Sequence, residues 1–379
     1  MKIPLSSPDI CQADIDAVVA VLKTTTLSLG PKLPEFEEKF AAYVGVKHAV
    51  AVNSGTSALH CIVRGLGLGA GDEVVTTPFS FIASSNCILF EGATPRFVDI
   101  DPQTYNIDLD KLEAAITPRT KAIVAVEVFG HPGGMIELEQ IAQRHEIPLI
   151  EDSCEGFGGR VGGRPIGSFG RASVFAFYPN KPITTGEGGM IVTDDATLAA
   201  ACRALRNQGR EGMSWLAHQR LGYNYRLSEI HAALGLAQVS RLDEILENRR
   251  RVALAYMDRL MTNRYLILPT IDEQTLMSWF VFVVRLNDLF APADRDEILK
   301  HLRSKKIGCN NYFPPIHLQP YVQETLNTKP GDYPITEYVS ARTLALPFFT
   351  KMTTRQVHRV CDILDATLES TLISHKGRF

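Results

Sequence analysis

Residues 173–195 read SVFAFYPNKPITTGEGGMIVTDD. An aromatic, apolar run ends at Tyr178, a second β-rich run begins at Gly189, and the turn between them carries one cation, Lys181. Both runs are apolar on two faces, the composition of strands in a sheet covered by helices on each side. A lysine is usually a solvated surface charge. The neighbours of this one, Tyr178, Pro179, Asn180 and Pro182, have the character of a pocket wall, where desolvation lowers a lysine pKa from ~10.4 toward the nucleophilic range. Thr184, Thr185, Gly186 and Glu187 follow in the same turn.

Upstream, HAVAVNS, DEVVTTP, TPRFVDID, KAIVAVEVF and IPLIEDS alternate with helix-compatible segments. With ASVFAFY and GMIVTDD they predict a mostly parallel, seven-stranded α/β sheet with helices on both faces and chemistry at its strand ends. Residues 228–262 have helical periodicity without proline and predict one or two long helices linking two domains. Strand-like WFVFVVRL and Pro-rich NYFPPIHLQPY then predict a smaller α+β domain. The expected division is 1–245 for an N-terminal arm and large domain, and 246–379 for the small one.

Two further strand ends carry unusual residues. AVAVNSGTSALH passes from a strand through Gly55, Thr56 and Ser57 into a helix. Small residues and free N–H groups at a helix N-terminus make an anion seat, while plain capping by Ser or Thr explains the same residues. LIEDSCEGFGG ends a strand on Glu151 and Asp152 before a Gly-rich turn. A partly desolvated Asp152 needs a cationic partner, either a structural salt bridge or cap, or the protonated pyridine nitrogen of pyridoxal 5'-phosphate (PLP). Order decides between these readings. An anion seat, then an Asp, then a Lys 181 − 152 = 29 residues later can hold a PLP ring at both ends.

Composition bounds the rest. With 379 residues, 45% of them hydrophobic, the chain can bury a substantial core. A net charge of −3 gives no broad basic surface for nucleic acid or anionic lipid. The N-terminal stretch lacks an apolar signal core and no run approaches ~18 apolar residues, which predicts no membrane association and a cytoplasmic enzyme. Seven cysteines without a C-x-x-C pair read as reduced thiols. No metal, Walker-type or dinucleotide-binding motif is present.

The motifs resemble the DegT/DnrJ/EryC1/StrS family of sugar aminotransferases nearly end to end, through LSLGPKLPEFEEKF, TTPFSFIASSN, VFGHPGGM, EDSCEGFGG, FYPNKPITTGEGG, LGYNYRLSE and LALPFFTKMT. The resemblance implies the fold-type I PLP architecture, with Lys181 carrying the cofactor as a Schiff base and moving the α-proton. It implies that Asp152 binds the pyridine nitrogen, Phe81 stacks on the ring, and Gly55, Thr56 and Ser57 hold the phosphate. Asn180 joins the cofactor site, and Glu155 stands where relatives often carry Gln or His facing the cofactor's 3'-oxygen. Ala176 departs from a serine phosphate ligand of some members. Asn224 of GYNYR is expected to reach the active site of a partner in a homodimer. His131, Glu187, Arg226 and His317 are the expected substrate-side residues. Arg226 as a surface ion pair and His317 as a structural histidine are the bland alternatives.

The implied reaction moves an amino group from L-glutamate to a keto carbon of a nucleotide-linked 4-keto-6-deoxy sugar. GYNYRLSE and NKPITTGEGG resemble members acting at C4 more than those acting at C3, and GDP, UDP and dTDP sugars fit equally. Family dehydratases replace the lysine by histidine, which Lys181 argues against. A non-enzymatic regulator would need a nucleic-acid-binding segment, and none is seen.

Overall fold

The computed structural model describes residues 2–211 and 217–376. The main sheet is built from β1 (His48–Val52), β2 (Glu73–Thr76), β3 (Thr94–Phe97), β4 (Thr120–Val126) and β5 (Leu149–Asp152), joined after a small hairpin, β6 (Arg160–Val161) and β7 (Arg164–Pro165), by β8 (Ala172–Ala176) and β9 (Gly189–Thr193). Their order is β1-β9-β8-β5-β4-β2-β3. Pairing is parallel from β8 to β3, and β9 runs antiparallel to both neighbours. Each of the seven apolar runs of the sequence supplies one of these strands.

Helices α1 (Gln12–Leu22), α2 (Lys32–Val44), α3 (Gly55–Gly65), α4 (Ala83–Phe90), α5 (Leu109–Ala115), α6 (Met135–Arg144) and α7 (Ala196–Arg206) precede α8 (Glu229–Val239) and α9 (Leu242–Leu260). The covering is two-sided, which is why the strands are apolar throughout. Val50, Val52, Val74, Val124, Ile150, Val174 and Ile191 pack with α3, α4 and α7 in one cluster. The alternate residues Ala49, Ala51, Phe175, Met190 and Val192 pack with α2 and α8, and Val75, Ile123, Ala125 and Leu149 with α6.

Periodicity over 228–262 resolves into two helices broken at Ser240 and Arg241. Glu229 opens α8 and caps α2: its carboxylate accepts the N–H groups of Lys32 at 2.7 Å and Leu33 at 3.1 Å, helical donors with no acceptor of their own. β10 (Leu266–Ile267), β12 (Phe282–Leu286) and β13 (Thr343–Leu346) form a separate antiparallel sheet, while β11 (Thr275–Leu276) pairs with β6. α9 and the last helix (Thr354–Lys376) enclose the second core, centred on Tyr256, Phe282, Leu344 and Leu364. Ile3 joins this core through a parallel bridge to Ile307, so the N-terminal segment packs on the C-terminal unit.

Candidate active site

The C-terminal ends of β4, β5 and β8 converge with the N-terminus of α3 around a cavity of about 530 Å³. Its wall includes Gly55, Thr56, Phe81, Asp152, Glu155, Asn180, Lys181 and Glu187, eight residues singled out in the sequence. Segments separated by more than a hundred residues therefore meet in one place.

Local chemistry fixes each element of the wall. Ser54 caps α3, its Oγ accepting the Ser57 N–H at 3.1 Å. A Cβ at Gly55 would stand 2.9 Å from Ala176 Cβ and 3.0 Å from Cys154 Sγ, so only a bare backbone allows α3 to start this close to β8. Gly55 and Thr56 open the helix on the cavity, where N–H groups lack intrahelical acceptors and the macrodipole favours an anion. Ser57 is buried behind that wall, with its hydroxyl accepting from Ser54 Oγ at 2.9 Å. Capping thus engages the Ser57 N–H, while Gly55 and Thr56 line the cavity itself.

Asp152 ends β5 with only 5% of its surface exposed. Ser84 Oγ donates to its Oδ2 at 2.7 Å, and the Cys154 N–H reaches its Oδ1 at 3.4 Å. No cation of this chain pairs with it among the described residues. A buried carboxylate that faces a cavity and has no cationic partner of its own is suited to a cationic group of a ligand.

Lys181 follows β8 in a turn closed by its own N–H donating to Tyr178 O at 2.9 Å. Thr184 Oγ1 and the Thr185 N–H both donate to Phe177 O, at 2.9 and 3.0 Å, and Thr185 Oγ1 donates to Glu187 O at 2.7 Å. The Thr-Thr-Gly turn is thereby rigid, with Gly186 at φ +84° as the reversal requires. Lys181 Nζ stands 3.7 Å from Glu155 Oε1 and 3.8 Å from the centroid of the Phe280 ring. Glu155 Oε2 accepts the Phe129 N–H at 2.8 Å. Burial pushes the Glu155 carboxyl above its ordinary range, opposed by the ammonium of Lys181.

Phe81, 62% exposed, and the exposed Tyr178 stand at the open side of the cavity. Phe280, Tyr312 and Phe313 close it from the C-terminal unit. These three were not anticipated, because apolar residues distant in sequence carry no spacing signal. The Pro-rich segment that holds Tyr312 and Phe313 was singled out for His317 instead.

Besides Ser57, four expected residues lie outside this cavity. His131 Nε2 is 2.9 Å from Thr270 O, and its Nδ1 accepts the Gly133 N–H at 3.0 Å, both ring nitrogens being taken by backbone. Burial holds its pKa below the ordinary histidine value. His317 is fully buried, with Nε2 3.0 Å from Glu337 Oε1 and its ring edge-on to Tyr333. Both histidines have partners within the chain outside the cavity, while His317 Nδ1 is buried without one. Arg226 donates to Asn207 Oδ1 at 3.1 Å. Asn224 is exposed on the same segment, between Tyr223 and Tyr225, which stack at 4.9 Å and point to His60 and Glu91.

Behind the site lies Glu127, fully buried just past the end of β4, its carboxyl near the Ser153 hydroxyl but without a well-formed hydrogen bond. Burial pushes its pKa well above the carboxylate range. Because the folded protein holds this proton more tightly than the unfolded chain, the group's contribution falls as pH rises past the ordinary carboxylate pKa of about 4.3. Glu127→Gln is expected to remove up to about 1.4 kcal/mol per pH unit of that decline. Denaturant midpoints from pH 5 to pH 9 check this; equal slopes in both proteins would contradict it.

Residues 8–365 match the DegT/DnrJ/EryC1/StrS aminotransferase family. A GDP-perosamine synthase of Caulobacter vibrioides is 39% identical over 370 residues, covering 97% of this chain and 98% of the relative. The structure of S. venezuelae DesV in complex with a ketimine intermediate superposes with a TM-score of 0.89 at 34% identity, covering 97% of this chain and 99% of DesV. Spr1654 of Streptococcus pneumoniae in its PLP form gives 0.93 at 27% identity, covering 98% and 99%. With nearly its whole length matched and its fold shared, the chain belongs to the DegT/DnrJ/EryC1/StrS aminotransferase family and is a transaminase.

Proposed function

We propose that the enzyme uses PLP held at Lys181 to move an amino group from L-glutamate to C4 of a nucleotide-linked 4-keto-6-deoxy sugar, giving an aminosugar nucleotide. The observation that carries this is one cavity in which Lys181, Asp152 and the N-terminus of α3 face each other. Amine, carboxylate and anion seat are the donor set that the cofactor's aldehyde, pyridine nitrogen and phosphate require. The fit has independent support: Asn180 Oδ1 is buried without a hydrogen-bond partner beside the lysine. The PLP form of Spr1654 and the name of the Caulobacter relative support cofactor and substrate class.

When bound, PLP supplies an electron sink for the charge left when a proton leaves the substrate carbon. Asp152 holds the proton on the pyridine nitrogen that makes the sink effective, and Ser84 fixes the carboxylate that holds it. Gly55 and Thr56 would hold the phosphate at α3, and Phe81 would stack on the ring. Lys181 Nζ would attach the cofactor and, as the amine nearest the reacting centre, would take up and return the proton exchanged there. Phe280, Tyr312 and Phe313 exclude water from that transfer.

Two copies share each site in this reading. Among the described residues of the cavity wall, Lys181 is the single cation, too little for a phosphate and a nucleotide diphosphate. Asn224, with Arg226 beside it, is presented away from its own cavity and is assigned to the partner's. Glu187, exposed on the wall, is the substrate-side residue of its own chain. The chain divides at 245/246 into large and small domains in this reading, with α9 opening the C-terminal core, which also takes in Ile3, Phe79 and Phe129 of the first part. Seven free cysteines support a cytoplasmic setting. No helix among the described residues is long and apolar enough to cross a membrane, and no group of three or more metal-ligating side chains occurs among them.

A panel of GDP-, UDP- and dTDP-4-keto-6-deoxy sugars, assayed with glutamate, tests the reading. Stoichiometric 2-oxoglutarate and an aminosugar nucleotide are expected from one of them. Conversion of glutamate without turnover of any sugar would refute the acceptor, and amination at C3 would refute the regiochemistry.

A further inference from the structure

The pair formed by Lys181 and Glu155 has a feature that cofactor binding alone leaves unexplained. A contact to the cofactor's 3'-oxygen side needs only a polar group. This chain places there a titratable carboxyl, 8% exposed, at 3.7 Å from a lysine Nζ that is itself 12% exposed. The carboxyl is held from behind: Oε2 accepts the Phe129 N–H at 2.8 Å, and Phe129 adopts a left-handed φ of +60° in the short turn after β4. A non-glycine residue held in that region costs free energy, and here it aims an N–H at Oε2 and leaves Oε1 toward the lysine. On the other side of Nζ lies the Phe280 ring, which offers no atom able to take a proton.

Resting on the proposed function above, we propose that Glu155 is the proton partner of Lys181, its Oε1 taking the proton that must leave Nζ before the nitrogen can attack a carbonyl, and returning it afterwards. In the exchange an N–H bond breaks, its electron pair stays on nitrogen as the nucleophilic lone pair, and an O–H bond forms on Glu155. No proton enters or leaves the cavity. The ammonium–carboxylate and amine–carboxylic acid forms have the same net charge, and burial penalises only the first, which draws the two toward equal free energy. The separation of 3.7 Å is longer than a hydrogen bond, as catalytic contacts often are before a ligand is bound.

The other titratable groups facing Glu155 do not replace it. Asp152 is engaged by Ser84 and by the Cys154 N–H. Burial drives the Cys154 thiol well above its ordinary value and the Tyr312 phenol upward, so both keep their protons at neutral pH. Glu187 is exposed at the far part of the wall. Glu155 is thus a carboxyl whose own raised pKa suits it to accept a proton from an amine.

The test follows the nucleophilicity of Lys181 without turnover. The full-length chain, freed of cofactor, is reacted with trinitrobenzenesulfonate at a series of pH values, and labelling of the Lys181 peptide is timed by mass spectrometry. Wild type is expected to show a rate nearly constant through the neutral range, because the amine form is reached by internal transfer. Glu155→Gln, which keeps the Phe129 contact but cannot take a proton, is expected to lose that plateau and rise about tenfold per pH unit. Glu155→Asp should restore a plateau at reduced height, and it serves as the second variant if the Gln protein fails to fold. A wild-type profile that is a single titration curve, merely displaced in Glu155→Gln, would show Glu155 to be a fixed charge and overturn the proposal. Uptake of PLP by the same samples, followed by absorbance, separates the two layers: wild-type chain that labels at Lys181 with a plateau but never binds PLP would overturn the cofactor reading and leave the proton pair standing.

Discussion

Lys181→Ala is expected to abolish the visible absorbance of the purified enzyme and to lower turnover by about 10⁴-fold or more, with the fold unchanged. The lysine serves as attachment point and as proton carrier, and general acid–base catalysis alone contributes on the order of 10²–10⁴. The turn around it is held by backbone and threonine contacts rather than by Nζ: Lys181 N–H to Tyr178 O, and Thr184 and Thr185 to Phe177 O. Removing the side chain deletes one ion pair at 3.7 Å and one contact with the Phe280 ring. Circular dichroism and denaturant midpoints near wild type, combined with colourless protein and no 2-oxoglutarate from glutamate, are the expected set. A variant that transaminates at more than a hundredth of the wild-type rate would show that another group does this work.

Asp152→Asn is expected to have the next largest effect. The carboxylate is 5% exposed, and its two contacts are one hydroxyl and one long N–H contact. An amide in its place keeps the shape and loses the charge that stabilises a protonated pyridine nitrogen. A hydrogen bond to a charged group is worth about 1.5–3 kcal/mol, so the cofactor should bind about tenfold to a hundredfold more weakly. Turnover should fall further, because the electron sink is weakened in each proton transfer. Ser84→Ala isolates the orienting part: with Oδ2 freed of its 2.7 Å donor but the charge retained, the loss should be no more than about tenfold. Equal losses in the two variants would mean that orientation, and not charge, is what Asp152 contributes.

The sheet was legible because each of its strands is a short, doubly apolar run bounded by turn residues, and helices on both faces make that pattern necessary. Lys181, Asp152 and the start of α3 were legible for a related reason. Each is a polar or small residue placed where an apolar strand ends, and the ends of adjacent parallel strands are neighbours in space. Ser57 shows the limit of the same logic, since the Ser-Gly-Thr-Ser run fits capping and anion binding together, and its N–H serves the cap.

The histidines are a different case. His131 and His317 sit in Gly- or Pro-rich loops, where nothing in the residue order distinguishes a ring facing a ligand from one bonded to Thr270 O or Glu337. Phe280, Tyr312 and Phe313 were invisible because the C-terminal unit folds back over the sheet, and that contact leaves no periodic trace. Glu127 was hidden in plain continuation of an apolar strand, KAIVAVEVF, where a carboxyl reads as a strand end and lies instead fully buried.

The most direct test of the central claim is borohydride reduction of the PLP-loaded enzyme followed by peptide mapping. A pyridoxyl phosphate mass is expected on the peptide containing Lys181, on no other lysine, and absent when glutamate is added before the reductant. Label on a different lysine, or no label in protein that nonetheless transaminates, would contradict it.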